Sequence, residues 1–295
     1  VIVNAEVLQQ AKAETGRDTM DVKKETSGQP KARTLVVGLG EVGGALAAVL
    51  DRKETVLRHD LDRVKIEEPI GTMHICVPFQ SPHQFETVAL GYISRFEPAL
   101  TIINSTVLPG TTRSIAEQSG RPVAYSPVRG KHVRMEEDLL HYCKYVAAPG
   151  RADAASAEAH FQAAGMKTRR MTEVESLELA KLAETTYFGV CIAFAQEMNR
   201  YAERVGGDYS EAIDFFEEVD FLPRQRYFPG FIGGHCVIPN IKLLLQIAPS
   251  QALEALLDSN ERRAIEIESR TGAAGAEAVS KSRESDPAKV LAHRQ

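Results

Sequence analysis

Cysteine is scarce in this 295-residue chain: four residues, Cys76, Cys143, Cys191 and Cys236, stand far apart and form no CxxC pair. That spacing is poor for zinc and unlike the dense disulfide frameworks of small secreted domains, so no metal and a cytoplasmic setting are expected. Long apolar runs are missing too; none reaches the ~18 residues of a membrane helix, and no membrane partner is expected. A basic stripe is equally missing. The 40 Asp and Glu outnumber the 35 Lys and Arg, for a net charge of −5, which argues against nucleic acid as a partner. The first residues are polar and carry both charge signs, unlike a secretory signal. No internal repeat is visible. What is present, 43% hydrophobic and 25% charged residues, is ordinary globular composition in a chain long enough for two domains.

The pattern along the chain suggests four segments. Residues 1–32, with the Lys23-Lys24-Glu25 cluster, the Ser27-Gly28-Gln29-Pro30 stretch and a candidate natural start at Met20, are expected to be a mobile leader. From 33 to 150, short apolar runs alternate with amphipathic stretches: Thr34–Val37, Thr55–Arg58, Met73–Val77, Leu100–Asn104, Pro122–Tyr125 and Lys144–Ala147. Continuous apolar strands separated by helices predict a parallel sheet covered on both faces. After Gly150 the strands are expected to stop. Apolar residues from Leu179 to Phe194 recur at helical spacing, which predicts one long helix over 172–206 ended by Gly206-Gly207. Further helices are expected at Ser210–Glu218 and Ser250–Arg270, with an irregular Gly/Pro-rich segment, Tyr227–Asn240, between them. The helical part would span 151–270, and 271–295, rich in Ala, Ser, Glu and Lys, would be a poorly ordered tail. The fold class is α/β: a Rossmann-type doubly wound parallel sheet followed by a helical domain built on one long helix.

Gly38, Gly40 and Gly43 stand in the G-x-G-x-x-G pattern, with Leu39, Glu41 and Val42 between them. The string alone is weak, but here it follows a strand and opens a helix. Gly38 would allow the tight turn, Gly40 the approach of backbone N–H groups to a pyrophosphate, and Gly43 close helix–strand packing. About twenty residues on, the second strand ends in His59-Asp60. A carboxylate there can accept both ribose hydroxyls and repels a 2′-phosphate, which favours NAD over NADP; Arg58 and Arg63 nearby weaken that preference.

Ile75-Cys76-Val77-Pro78, the run Asn104-Ser105-Thr106-Val107-Leu108-Pro109-Gly110-Thr111-Thr112, Leu179-Ala180-Lys181-Leu182-Ala183-Glu184, and the loop Pro229-Gly-Phe-Ile-Gly-Gly-His-Cys236 follow one another in an order that resembles the UDP-glucose/GDP-mannose (nucleotide-sugar) dehydrogenase family over roughly residues 34–250. The resemblance implies an NAD-dependent oxidoreductase. In that family an alcohol is oxidised to an aldehyde, a thiolate captures it as a thiohemiacetal, and a second oxidation leaves a thioester that water cleaves. It implies Cys236 as the nucleophile, Lys181 as the stabiliser of an alkoxide or oxyanion, and Thr106 as the hydroxyl that orients water. Val77, Pro78, Ser105 and Thr106 would border the cofactor. His235 and Lys181 are the cations nearest to hand for a thiolate at Cys236. Taken without the resemblance, Lys181 could be a solvated helix residue, Thr106 a strand terminator and Cys236 an inert loop residue; His132, beside Lys131 and near Arg129, reads as a solvated loop residue.

The sequence also departs from the family. Thr185 stands where the family has Asn, Asn240 where it has Asp, and Val128 where it has Glu. Only about twenty-five tail residues follow the last expected helix, so the family's C-terminal nucleotide-sugar domain is expected to be missing. Asn240 can orient water but cannot act as a carboxylate base, so four-electron oxidation is in question. The expected substrate is a small molecule, a sugar nucleotide or a related polyol. Two alternatives stand beside this: a two-electron enzyme like the β-hydroxyacid dehydrogenases, which need no cysteine, and a non-catalytic NAD-binding relative. Val190, Ile192 and Phe194 place apolar residues on more than one face of the long helix, which predicts a homodimer through it.

Overall fold

Strands whose residues are apolar on both sides belong inside a covered sheet, and five of the predicted runs form one. The computed structural model describes residues 32–60, 66–130, 132–215, 219, 227–234 and 236–284; the leader 1–31, Arg63, Lys131 and His235 lie outside them. The order begins β1 (Arg33–Val37), α1 (Glu41–Asp51), β2 (Val56–His59), β3 (Ile70–Ile75), α2 (Pro82–Phe96), β4 (Leu100–Ile103), α3 (Thr111–Ser119) and β5 (Val123–Tyr125). The sheet runs β2-β1-β3-β4-β5, and every pairing in it is parallel. Leu35, Val37, Ile75 and Ile103 face one side with Phe85 and Ile93, whereas Val36 and Ile102 face the other with Leu46, Leu50 and Phe161. Both faces are therefore dry, as a doubly wound sheet requires.

The sixth run does not extend this sheet. After α4 (Met135–His141), β6 (Lys144–Val146) pairs in parallel with β7 (Thr168–Arg170) across α5 (Arg151–Ala163). A single antiparallel bridge between Tyr125 and Ala147 joins this small sheet to β5, through N–H···O bonds of 2.7 and 3.0 Å. Strands thus continue beyond Gly150. The expectation failed there because Thr168-Arg169-Arg170 is polar and mostly exposed, held by backbone bonds and without an apolar period to announce it.

The long helix forms as predicted: α6 (Val174–Val205) closes on Gly206, whose φ of +73° lies in the left-handed region. Its inner face buries Leu177, Glu178, Leu182, Thr186, Gly189, Ala193 and Gln196. α7 (Tyr209–Asp214) starts as expected but stops before residues outside the description. α8 (Val237–Ile247) takes in the last four residues of the segment expected to be irregular and runs on beyond it. Pro239 had argued against a helix, yet it sits in the first turn, where a missing N–H leaves no intrahelical bond unmade. α9 (Gln251–Thr271) is capped by Ser250, whose Oγ accepts from Leu253 N at 3.4 Å. The predicted tail is also helical at its start: α10 (Ala273–Glu284) packs on α9 and buries Val279. Strong helix formers and one well-placed apolar anchor suffice there; residues 285–295 lie outside the description.

Candidate active site

The Gly38–Gly43 turn shows three different demands on three glycines. Gly38 has φ +85°, and a Cβ on it would stand 2.8 Å from the carbonyl oxygen of Cys76. A Cβ on Gly43 would run into the carbonyl oxygen of Gly38 and press on the Cys76 side chain. Gly40, the N-cap of α1, has nothing within 4 Å of its Cβ position and makes no side-chain cap hydrogen bond. Leu39 and Val42 pack into the core beside Cys76. Glu41 opens the helix and is exposed. Gly38 N donates to His59 O at 2.9 Å, which brings the end of β2, and the exposed Asp60 after it, beside the turn. Arg58 is committed elsewhere: its guanidinium pairs with Asp51 at 3.1 Å and donates to Val56 O.

The ends of β3 and β4 are tied together above this turn. Cys76 N donates to Val37 O (2.8 Å), and Ser105 Oγ donates to Val77 O (2.6 Å). Val77, Ser105 and Thr106 are half-buried and Pro78 is exposed. Burial pushes the Cys76 thiol up to about 12, which leaves it inert at neutral pH.

Beneath these strand ends runs a buried polar chain. Lys144 Nζ donates to Ser126 O (2.8 Å) and Pro127 O (2.9 Å) and reaches Asn104 Oδ1 at 3.5 Å. Asn104 Nδ2 contacts His74 Nδ1 at 3.1 Å, and His74 Nε2 lies 2.9 Å from His160 Nε2. Burial, opposed by the Cys76 thiol and aided by the Lys181 and Arg129 cations, lowers the Lys144 ammonium from 10.5 to about 7. His74 is held well below its ordinary value by burial and by the neighbouring His160 and Lys144. The chain fixes the Ser126–Pro127 turn, next to the Val128 that stands where the family has Glu. Val128 itself packs in the core.

The helical side meets the sheet through Glu178. Its buried carboxylate accepts from Gly110 N (2.7 Å), Thr112 N (2.9 Å) and Thr112 Oγ1 (2.6 Å). It therefore caps α3 and fastens the Thr106–Gly110 segment to α6. Burial raises its pKa despite those three bonds. Three residues on, Lys181 is largely covered, with 15% of its side chain exposed, and lies 3.6 Å from Glu184. It is not a solvated helix lysine. One turn further, Thr185 Oγ1 donates back to the α6 backbone and accepts from Asn240 Nδ2 at 2.7 Å. Two of the three positions that depart from the pattern the sequence resembles thus bond to each other, and tie α6 to α8. Gly189 allows that approach: a Cβ there would lie 2.6 Å from a Val237 methyl.

Cys236 is half-buried and is the N-cap of α8, whose first bond runs from Asn240 N to Cys236 O at 3.1 Å. His132 begins a short 3-10 turn, His132–Arg134. The structure thus gathers Gly38–Gly43, Asp60, Val77 and Ser105 on one rim, and sets Lys181, Thr185 and Asn240 on the helices α6 and α8. Sequence reasoning missed Lys144, His74, His160 and Glu178. A signal existed for two of them: Lys144 is a lysine inside a short strand run, and Glu178 falls on the same helix stripe as Leu182.

Residues 175–263 match the family described as UDP-glucose/GDP-mannose dehydrogenase family, central domain. Among curated relatives, the UDP-N-acetyl-D-mannosamine dehydrogenase of Pyrococcus horikoshii is 29% identical over 208 residues. The match covers 63% of this chain and 49% of the relative, so the chain spans about half that relative's length. A solved structure of the UDP-D-ManNAc dehydrogenase of P. horikoshii superposes with a TM-score of 0.70 at 21% identity, over 80% of this chain and 70% of that one. A Mycobacterium tuberculosis 3-hydroxyisobutyrate dehydrogenase superposes with a TM-score of 0.63 at 16% identity, over 79% of this chain and 94% of that one. These two superpositions speak to the fold. The match to that central domain thus lies on α6 to α9, behind the five-stranded parallel sheet.

Proposed function

We propose that the protein is an NAD-dependent oxidoreductase that oxidises an alcohol of a nucleotide sugar, and that Cys236 is its nucleophile. The observation that carries the cofactor is the glycine turn: two positions exclude any side chain, and the third, at the N-cap of α1, has open space where a side chain would stand. Gly38, Leu39, Gly40, Glu41, Val42 and Gly43 would hold the pyrophosphate, Asp60 the adenosine ribose, and Val77, Pro78, Ser105 and Thr106 the nicotinamide half. Bound there, NAD supplies a hydride acceptor. The chain supplies the rest: Lys181 stabilises the oxyanion as the alcohol is oxidised, the Cys236 sulfur captures the aldehyde, and Thr106 and Asn240 orient water. Neither Asn240 nor Val128 can take a proton from that water. We take UDP-N-acetyl-D-mannosamine, the substrate class named for the Pyrococcus relative, as the first candidate. NADH formation against a panel of UDP- and GDP-sugars tests the reading, and turnover only with β-hydroxyacids would overturn it.

The domain division at residue 150, with 33–150 for the cofactor and 151–270 for dimerisation, belongs to the same proposal. So does a cytoplasmic setting, which the wide spacing of the four cysteines and the lack of a CxxC pair support; no helix among the described residues is long and apolar enough to cross a membrane. Along α6, Leu179, Tyr187, Val190, Phe194 and Tyr201 leave an exposed stripe at helical spacing. Such a stripe suits a second copy of the chain. Light scattering at micromolar concentration should give a dimer mass; a monomer would refute it.

A further inference from the structure

The segment leading to Cys236 is held at every second residue. Gly230 O accepts from Gln196 Nε2 at 2.6 Å. Ile232 makes two bonds to one side chain: its N–H donates to Asn260 Oδ1 at 2.7 Å, and its carbonyl accepts from Asn260 Nδ2 at 3.1 Å. Gly234 N donates to Ser282 O at 3.1 Å. Residues 230, 232 and 234 thus alternate as in a strand, and the carboxamide of Asn260 takes the place of a neighbouring strand's peptide group. Behind it the clamp is closed. Gln196 Nε2 also lies 3.2 Å from Asn260 Oδ1, and Ser259 Oγ donates to Gln196 Oε1 at 3.0 Å. Gln196, Ser259 and Asn260 are all buried. A Cβ on Gly233 would collide with Ser282, so α10 rests directly on the Gly-Gly turn.

Buried polar side chains pointed at backbone are costly to keep unless they fix something. α6 supplies Gln196 and α9 supplies Ser259 and Asn260, yet the backbone groups they hold lie four to six residues before Cys236. We propose that Asn260 is a positioning residue for Cys236: it sets the path of residues 230–234 and through them the placement of the sulfur at the start of α8. The proposal rests on the reading of Cys236 as the nucleophile.

The test uses the full chain and needs no turnover. Asn260→Ala removes both bonds to Ile232, whereas Asn260→Asp keeps the acceptor for Ile232 N–H and loses the donor. Two quantities are followed: hydrogen exchange of a peptide spanning 228–236, and iodoacetamide alkylation of Cys236 mapped by mass spectrometry, with Cys143 and Cys191 as internal references. Asn260→Ala should speed both about tenfold, the scale of one lost hydrogen bond, with Asn260→Asp between it and the wild type. The reference cysteines should hold their rates. Leu139→Ala, a core change in α4 far along the chain, matched for loss of melting temperature, should leave Cys236 at its wild-type rate. Unchanged exchange in Asn260→Ala would overturn the clamp. Faster exchange with Cys236 alkylated at the wild-type rate would reduce Asn260 to a structural role and overturn the positioning. Absence of dehydrogenase turnover in the wild type would overturn the proposed function and leave these outcomes readable.

Discussion

Two glycine-rich segments of this chain are held in opposite ways. The Gly38–Gly43 turn is fixed by exclusion: backbone atoms of Cys76 and Gly38 occupy the space any side chain would need. The Gly230–Gly234 segment is fixed by attachment, through the side chains of Gln196 and Asn260 and the carbonyl of Ser282. A turn fixed by exclusion depends on a few glycines at fixed spacing. One fixed by attachment depends on residues scattered over three helices. The same contrast marks the chemistry: the glycine pattern of the first turn is intact, whereas the helical side has exchanged two positions for the bonded pair Thr185–Asn240.

The comparison can be broken from either side, beginning where the largest effect is expected. Glu178 is the attachment between the sheet and α6. Glu178→Ala leaves Gly110 N and Thr112 N buried without an acceptor and should cost about 3 kcal/mol in urea unfolding; a loss within the error of the titration would show that water replaces the carboxylate. Gly43→Ala tests exclusion: the helix must move off Gly38, at about 1–3 kcal/mol of stability, with NAD affinity falling alongside. Gly40→Ala is its counterpart. Its Cβ meets nothing, so stability should stay within about 0.5 kcal/mol while NAD binding weakens. Equal stability losses in the two variants would dissolve the distinction. Asp60→Ala should weaken NAD by about 1–3 kcal/mol in calorimetry, as for a lost charge-assisted hydrogen bond.

The effect at Lys144 appears only in the pH dependence and vanishes below about pH 7. Its pKa is lowered in the folded protein to about 7 from 10.5. Below about 7 both states are protonated. Between about 7 and 10.5 the unfolded chain binds the extra proton, so this group makes stability rise with pH across that window. Lys144→Met should flatten the rise, as measured by denaturant midpoints at successive pH values; an unaltered slope would mean that Lys144 is not the group responsible.

How much of this was legible depended on what kind of constraint each element obeys. β1, α1, α6 and the cap at Gly206 announce themselves because burial and backbone conformation leave periodic apolar runs and glycines. β7 does not, since three polar residues carry no period, and α8 was hidden by Pro239 in a position where proline is harmless. The site divides likewise. Gly38, Gly40, Gly43 and Asp60 follow from local stereochemistry at fixed spacing. Lys144, Glu178 and Asn260 act through partners 18, 66 and 28 residues distant, and no local pattern marks such pairings.

Cys236 is proposed to carry the chemistry in a site whose position 240 is an asparagine and not a carboxylate base. The most direct measurement is the number of NADH formed per nucleotide sugar consumed, together with the intact mass of the protein after the reaction. The account predicts one NADH per substrate, or a burst that stalls as a covalent adduct mapped to Cys236 and absent from Cys236→Ala. Steady formation of two NADH per substrate, or full activity in Cys236→Ala, would contradict it.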